Sequence, residues 1–226
     1  MTEKNFCYLY FIDEQYKNPD EMKNIVIIGA SDYASKVLTC AQKEGKFNVV
    51  GFIDATFASK TIKHLDFPVL GSLKDLAYLT DKLQLHGGIL AVQSNKKRKV
   101  MADKIAKMIP NFEFESTVAP SAKLGDNLYI GKGTVILEST RIASDSWVGD
   151  FCILNSEATL GNNGIMDDFS SLAANVTAGN HIGLAKYTHM DASMNNNSNT
   201  ANNTSFSAKD LGYYAIGFGK RLKINL

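Results

Sequence analysis

From Val118 to Leu172 an apolar residue falls at every sixth position without a slip: Val118, Leu124, Ile130, Ile136, Ile142, Val148, Leu154, Leu160, Met166 and Leu172. A helix returns a side chain to one face about every 3.6 residues and a strand about every two, so a sustained period of six fits neither. It fits a hexapeptide-repeat parallel β-helix, with each of these side chains pointing into a solenoid. Turn residues recur beside the column, in Leu124-Gly-Asp-Asn, Ile130-Gly-Lys-Gly, Val148-Gly-Asp and Leu160-Gly-Asn-Asn. A chain turning a tight corner needs residues that tolerate positive φ.

Ahead of the hexads the pattern changes to strand, turn and helix. Ile25-Val-Ile-Ile28 is a short apolar run ending in Gly29, as in a parallel strand buried on both faces. Ser31 to Lys43 reads as a helix, Val49 to Ile53 as a second strand, Leu73 to Leu83 as a helix and Gly88 to Val92 as a third strand. Ser94 then caps a helix running to Ile109, and Phe112-Glu-Phe-Glu returns the chain into the first hexad. Alternating strands and helices predict a small α/β, Rossmann-like domain with right-handed crossovers.

The expected organisation is an N-terminal extension over 1–22, the α/β domain over 23–114, the β-helix over 115–194, an Asn-rich loop over 195–207 and a C-terminal cap over 208–226. Met22-Lys-Asn24 precedes the first strand, so residues 1–21 are expected to be dispensable or mis-started. After Leu172 the six-residue spacing is read as restarting at Ile182, Thr188 and Met194. That predicts a shortened turn or loop across Val176 to His181.

A net charge of +1 with mixed signs leaves no footprint for nucleic acid or an anionic membrane. The apolar run Phe6 to Ile12 is too short for a membrane span. Cys7, Cys40 and Cys152 are odd in number and show no metal-type spacing with each other or with the four histidines, so no metal site and a reduced, cytoplasmic protein are expected.

The segment Gly29-Ala-Ser31-Asp32-Tyr33 joins a strand to a helix, where backbone amides can hold a phosphate. It lacks the second glycine of a dinucleotide fingerprint. Asp54 closes the second strand, where a carboxylate can accept hydrogen bonds from ribose or sugar hydroxyls. Arg98, near the end of the third strand, is a candidate phosphate contact within the otherwise exposed Lys96-Lys-Arg-Lys99 run.

The pairing of this domain with a hexapeptide β-helix resembles the bacterial nucleotide-amino-sugar acyltransferases of the PglD/NeuD type. Ile25 to Ser31, Gly51-Phe-Ile-Asp54, Pro68-Val-Leu-Gly71, Val118-Ala-Pro-Ser-Ala122, the hexads, Lys209-Asp-Leu211 and Gly217-Phe-Gly-Lys220 carry the resemblance. It implies a homotrimer with a left-handed β-helix, a nucleotide-linked amino sugar held by the N-terminal domain, and acetyl-CoA or another acyl-CoA as co-substrate in surface-glycan synthesis. Gly29, Ser31, Asp32, Tyr33, Asp54 and Gln93 are then the substrate-binding positions, and Ser171 and Gly179 the acyl-CoA positions.

The family's base, a histidine followed by an acidic residue, falls on Asn162 and Asn163. A second family histidine falls on Ser171, and Ser31-Asp32-Tyr33 replaces the usual Ser-Gly-His of the sugar-binding turn. Asparagine donates hydrogen bonds but takes up no proton from an attacking amine. His189 and His181 are the alternative bases. The resemblance thus implies an acyltransferase, and the lost histidine leaves open a catalytically silent relative that binds nucleotide sugar or acyl-CoA, or an O-acyltransferase with a relocated base.

Overall fold

Ile25, Val26, Ile27 and Ile28 have water on neither side, being at most 1% exposed. In the computed structural model, which describes residues 22–54, 63–64 and 67–192, they form the centre of strand β1 (Lys23–Ile28). Helix α1 (Asp32–Glu44) follows, closed by Gly45 in the left-handed conformation. Then come β2 (Phe47–Ile53), β3 (Lys63–His64), β4 (Phe67–Gly71), α2 (Leu76–Lys82), β5 (Gly87–Leu90), α3 (Asn95–Met108) and β6 (Glu113–Phe114). The sheet order is β3-β4-β2-β1-β5-β6, parallel except for the β3–β4 pair.

Two elements are shorter than their periodicity suggests. Leu73 to Asp75 is a turn, because the Asp75 carboxylate accepts from the Ser72 amide and hydroxyl, both at 2.8 Å, and helix α2 starts only at Leu76. β5 ends at Leu90, which frees Ala91 to Ser94 as a loop.

Thirteen two-residue strands follow, β7 (Thr117–Val118) to β19 (His189–Met190), each six residues after the last. They stack into three parallel sheets whose partners lie 18 residues apart, as in Val135 with Ile153 and Arg141 with Thr159. One turn of the solenoid is therefore a triangular coil. The hexad residues from Ile136 to Leu172 are at most 1% exposed inside it, while Leu124 and Ile130, near the open end, are less covered.

A second inward column stands two positions before the first: Thr134, Thr140, Ser146, Cys152, Ala158, Gly164, Ser170 and Val176. Its hydroxyls are satisfied within the coil, Thr134 Oγ1 donating to Gly149 O and Ser146 Oγ to Gly161 O. The corners lie three residues before each hexad position, and from Asn127 to Tyr187 all eleven are left-handed with φ between 54° and 65°.

The phase break expected after Leu172 does not occur. Ala178, Leu184 and Met190 continue the first column without interruption in strands β17 (Thr177–Ala178), β18 (Gly183–Leu184) and β19. Ile182 and Thr188 belong to the second column, so the apparent restart is a change of column. Val176 to His181 is a regular corner and strand. The expected extension, Asn-rich loop and cap lie outside the described residues, apart from Met22.

The two halves share their cores. Tyr33, Val37, Cys40 and Ala41 of α1 pack with Ala119, Val135, Leu137 and Ile153, while Leu90, Ile105, Phe112 and Phe114 pack with Phe151 and Phe169. Glu44 seals the first junction by accepting from Thr117 Oγ1 at 2.6 Å and the Val118 amide at 3.2 Å.

Candidate functional site

In an open α/β sheet, ligands bind beyond the carboxyl ends of the strands, where the strand order reverses. Here the chain runs outward from β1 through β2 to β4, then returns to place β5 on the other side of β1. The switch point lies between Gly29, after β1, and the loop after β5. These loops touch: a Cβ on Gly29, whose φ is +118°, would stand 2.7 Å from the carbonyl oxygen of Ala91. Only glycine permits that approach.

Most residues expected to hold the sugar nucleotide gather along this edge. Ser31 and Asp32 are exposed at the start of α1, Asp54 is half-buried after β2, and Gln93 is exposed after β5. Tyr33 turns the other way. Its ring is 4% exposed in the core against the β-helix, its hydroxyl has no hydrogen-bond partner among the described residues, and burial pushes its ionisation up.

A cavity of about 430 Å³ opens where the β5–α3 loop meets the β-helix. Gln93, Ser94, Asn95 and Lys96 line one side; Ile153, Asn155, Ser171, Tyr187 and His189 line the other. Ser94 caps α3 by accepting from the Lys97 amide, which sets the loop's exit. Ile153, Ser171 and His189 follow one another on the outward side of the sheet containing β13 (Ile153–Leu154), β16 (Ser171–Leu172) and β19, each 18 residues after the last.

One hydrogen-bonded chain crosses the cavity wall. The Asn95 amide nitrogen donates to the carbonyls of Tyr187 at 3.1 Å and Thr188 at 2.9 Å. Its oxygen accepts from Arg98 Nη2 at 2.8 Å and stands 3.1 Å from Ser171 Oγ. Ser171 Oγ is in turn 2.8 Å from His189 Nδ1.

Arg98 is not a phosphate contact. It is fully buried, and its donors go to the carbonyls of Val92, Gln93, Phe151, Phe169 and Ser170 as well as to Asn95. Burial pushes its guanidinium down to about 10, so it keeps its charge at neutral pH.

The structure brings Gln93, Ser171 and His189 to one cavity and places the other expected residues elsewhere. Asn162 and Asn163 are exposed on a different edge of the triangular coil, with Asn163 as a left-handed corner. Gly179 and His181 lie on that same edge, where the Asn162 amide donates to Asn180 Oδ1 and the His181 amide to the Asn162 carbonyl. Asn95 and Tyr187 escape sequence reasoning. A count of 18 from Ser171 to His189 would have shown those two in register, but nothing local marks Asn95. Among the described residues no cluster of three or more His, Cys, Asp or Glu is placed to hold a metal ion, and no helix is long and apolar enough to cross a membrane.

Residues 24–105 match the family model described as the PglD N-terminal domain. A comparison with curated proteins finds no match by sequence. Among solved structures, the chain is similar to a histidine-to-asparagine mutant of perosamine N-acetyltransferase from Caulobacter crescentus in complex with CoA and GDP-perosamine. That match has 23% identity and a TM-score of 0.68, covering 74% of this chain and 77% of the other. WeeI from Acinetobacter baumannii AYE is similar at 17% identity and a TM-score of 0.62, covering 71% and 74%. The chain thus carries a domain that matches the PglD N-terminal family on a left-handed parallel β-helix, and it shares its fold with the perosamine N-acetyltransferase and WeeI.

Proposed function

We propose that the protein transfers an acetyl or other acyl group from acyl-CoA to the amino group of a nucleotide-linked amino sugar, as a cytoplasmic homotrimer in surface-glycan biosynthesis. The observation that carries this reading is the cavity between the β5–α3 loop and the β-helix, on the side of β5 that adjoins the sheet's switch point, to which both halves contribute side chains. The α/β edge with Gly29, Ser31, Asp32, Asp54 and Gln93 would hold the nucleotide sugar. Ser171 lies where the β-helix would present the acyl group, and Gly179, on another edge, would reach acyl-CoA only across a subunit boundary.

The perosamine N-acetyltransferase mutant supports the reading in a specific way. A protein of this fold carries asparagine in place of a histidine and is still found with CoA and GDP-perosamine together. We read Asn162 in the same way, as a residue that leaves the binding of both substrates intact.

The exposed Asn162-Asn163 corner favours a second reading, in which the protein binds its ligands without turnover. The discriminating experiment presents acetyl-CoA with GDP-, UDP- and dTDP-linked amino sugars and follows release of free CoA thiol, with calorimetry for binding. Thiol release with at least one sugar is expected. Binding of sugar and CoA without release across the panel would establish the silent reading, and release dependent on a sugar hydroxyl would point to O-acyl transfer.

A further inference from the structure

We infer that His189 Nε2 is the proton acceptor of this cavity, held in that role by Ser171, Asn95 and Arg98; the inference rests on the acyl-transfer reading above. Both Asn95 amide hydrogens are directed to backbone carbonyls, those of Tyr187 and Thr188, which fixes the orientation of the carboxamide. Its oxygen accepts from Arg98 Nη2, a group that only donates. Toward that same oxygen, 3.1 Å away, Ser171 Oγ must therefore donate its single hydrogen.

With its hydrogen committed, the Ser171 oxygen has only lone pairs to offer His189 Nδ1 at 2.8 Å. Nδ1 must carry the hydrogen. A neutral imidazole has one N–H, so Nε2 is left with a free lone pair on a side chain that lines the cavity. Ser171 is then a positioning residue and no nucleophile, because the nitrogen that faces its hydroxyl, His189 Nδ1, already carries a hydrogen.

During transfer the sugar amine nitrogen bonds to the thioester carbonyl carbon and the carbon–sulfur bond breaks. The proton leaving nitrogen passes to His189 Nε2, and from there to the departing CoA sulfur. Neither the exposed corner at Asn162 nor a metal enters this sequence.

The test uses the full chain with acetyl-CoA and a sugar that supports thiol release. His189→Gln is expected to lower kcat by about 10²–10⁴, with acetyl-CoA and sugar affinities kept. Ser171→Ala should lower kcat about tenfold at unchanged KM, the worth of one hydrogen bond, and Ser171→Thr should restore it. Nitrogen-15 NMR of the neutral imidazole should show the Nδ1–H form in the parent and a shift toward Nε2–H in Ser171→Ala.

Turnover of His189→Gln within threefold of the parent overturns the assignment. So does an Nε2–H imidazole in the parent, or an acyl group found on Ser171 by mass spectrometry. A parent that turns over no sugar removes the acyl-transfer reading and the base with it, whereas loss confined to His189→Gln in an active protein upholds both. The NMR signal separates the hydrogen-bonded chain from either result.

Discussion

Arg98 is a buried cation whose described hydrogen bonds all go to neutral oxygens, five of them backbone carbonyls drawn from both halves of the molecule. Truncation would leave those carbonyls buried and unmatched, so Arg98→Ala is expected to destabilise the protein by roughly 3–5 kcal/mol, measured by urea denaturation. Arg98→Lys should recover little, since one ammonium cannot replace the guanidinium's fan of donors.

Cys40 and Cys152 give a pH-dependent counterpart. Burial pushes both thiols up to about 12. Below the ordinary thiol pKa of about 8.5 both states hold the proton and nothing changes. Above it the unfolded chain ionises while the folded one does not, so stability is lost as pH rises from there toward 12. Each thiol contributes a slope of at most about 1.4 kcal/mol per pH unit. Denaturation midpoints between pH 8 and 10 should fall less in Cys40→Ala/Cys152→Ala than in the parent.

The residues most open to sequence reasoning were those with a repeat or a motif behind them. Gly29, Ser31, Asp54 and Gln93 follow strand ends that apolar runs announce, and a parallel sheet brings strand ends together. Arg98 looks like its neighbours Lys96, Lys97 and Lys99 in sequence. Only the helix geometry, which turns position 98 inward onto the β-helix carbonyls, distinguishes it.

At the scale of elements, the first inward column was legible because its members are large and apolar. Its continuation was hidden because Ala178 is small while Ile182 and Thr188, in the second column, draw attention to themselves. The small column itself reads as polar sequence, since Thr134, Thr140, Ser146 and Ser170 bury hydroxyls that the coil satisfies. One corner column is unusual. Phe151, Phe169 and Tyr187 occupy left-handed corners, where bulky residues are rarely found. They stack, with Phe151 and Phe169 centroids 4.8 Å apart at 10° and Phe169 and Tyr187 6.0 Å apart at 28°. Phe114 meets Phe151 edge-on at 5.0 Å, which joins the stack to the α/β core.

At Phe151 and Phe169 the backbone cost of the corner, about 1–2 kcal/mol, is offset by burying the phenyl ring, about 1.5–3 kcal/mol, whereas Tyr187 at the end of the stack stays exposed. Gly133 begins the column. A Cβ there would stand 2.5 Å from the Phe151 ring on a backbone with φ of +65°. Gly133→Ala should therefore cost roughly 2–4 kcal/mol in urea denaturation. Replacing Asn175, an exposed corner with φ of 60°, by alanine should cost no more than about 1 kcal/mol. The difference isolates the clash with the ring.

For the whole molecule, the triangular section settles what one subunit can bring together. One sheet face, carrying Thr117, Val135, Ile153, Ser171 and His189 outward, meets the α/β domain and the cavity. The second carries Lys123, Arg141, Thr159 and Thr177; the third carries Tyr129 and Trp147, stacked at 3.8 Å, then Ile165 and Gly183. Asn162 sits on the edge joining the second and third faces, which in a triangle lies opposite the first. A single subunit cannot present Asn162 to its own cavity. In the proposed homotrimer that edge is free to face a neighbour's cavity, and a histidine there could take over a proton that the neighbour's residue 189 no longer accepts. His189→Gln/Asn162→His is accordingly expected to recover at least tenfold of the turnover lost in His189→Gln alone, while light scattering reports a trimer for both. A double variant as slow as the single one, in an intact trimer, would place Asn162 outside the reaction.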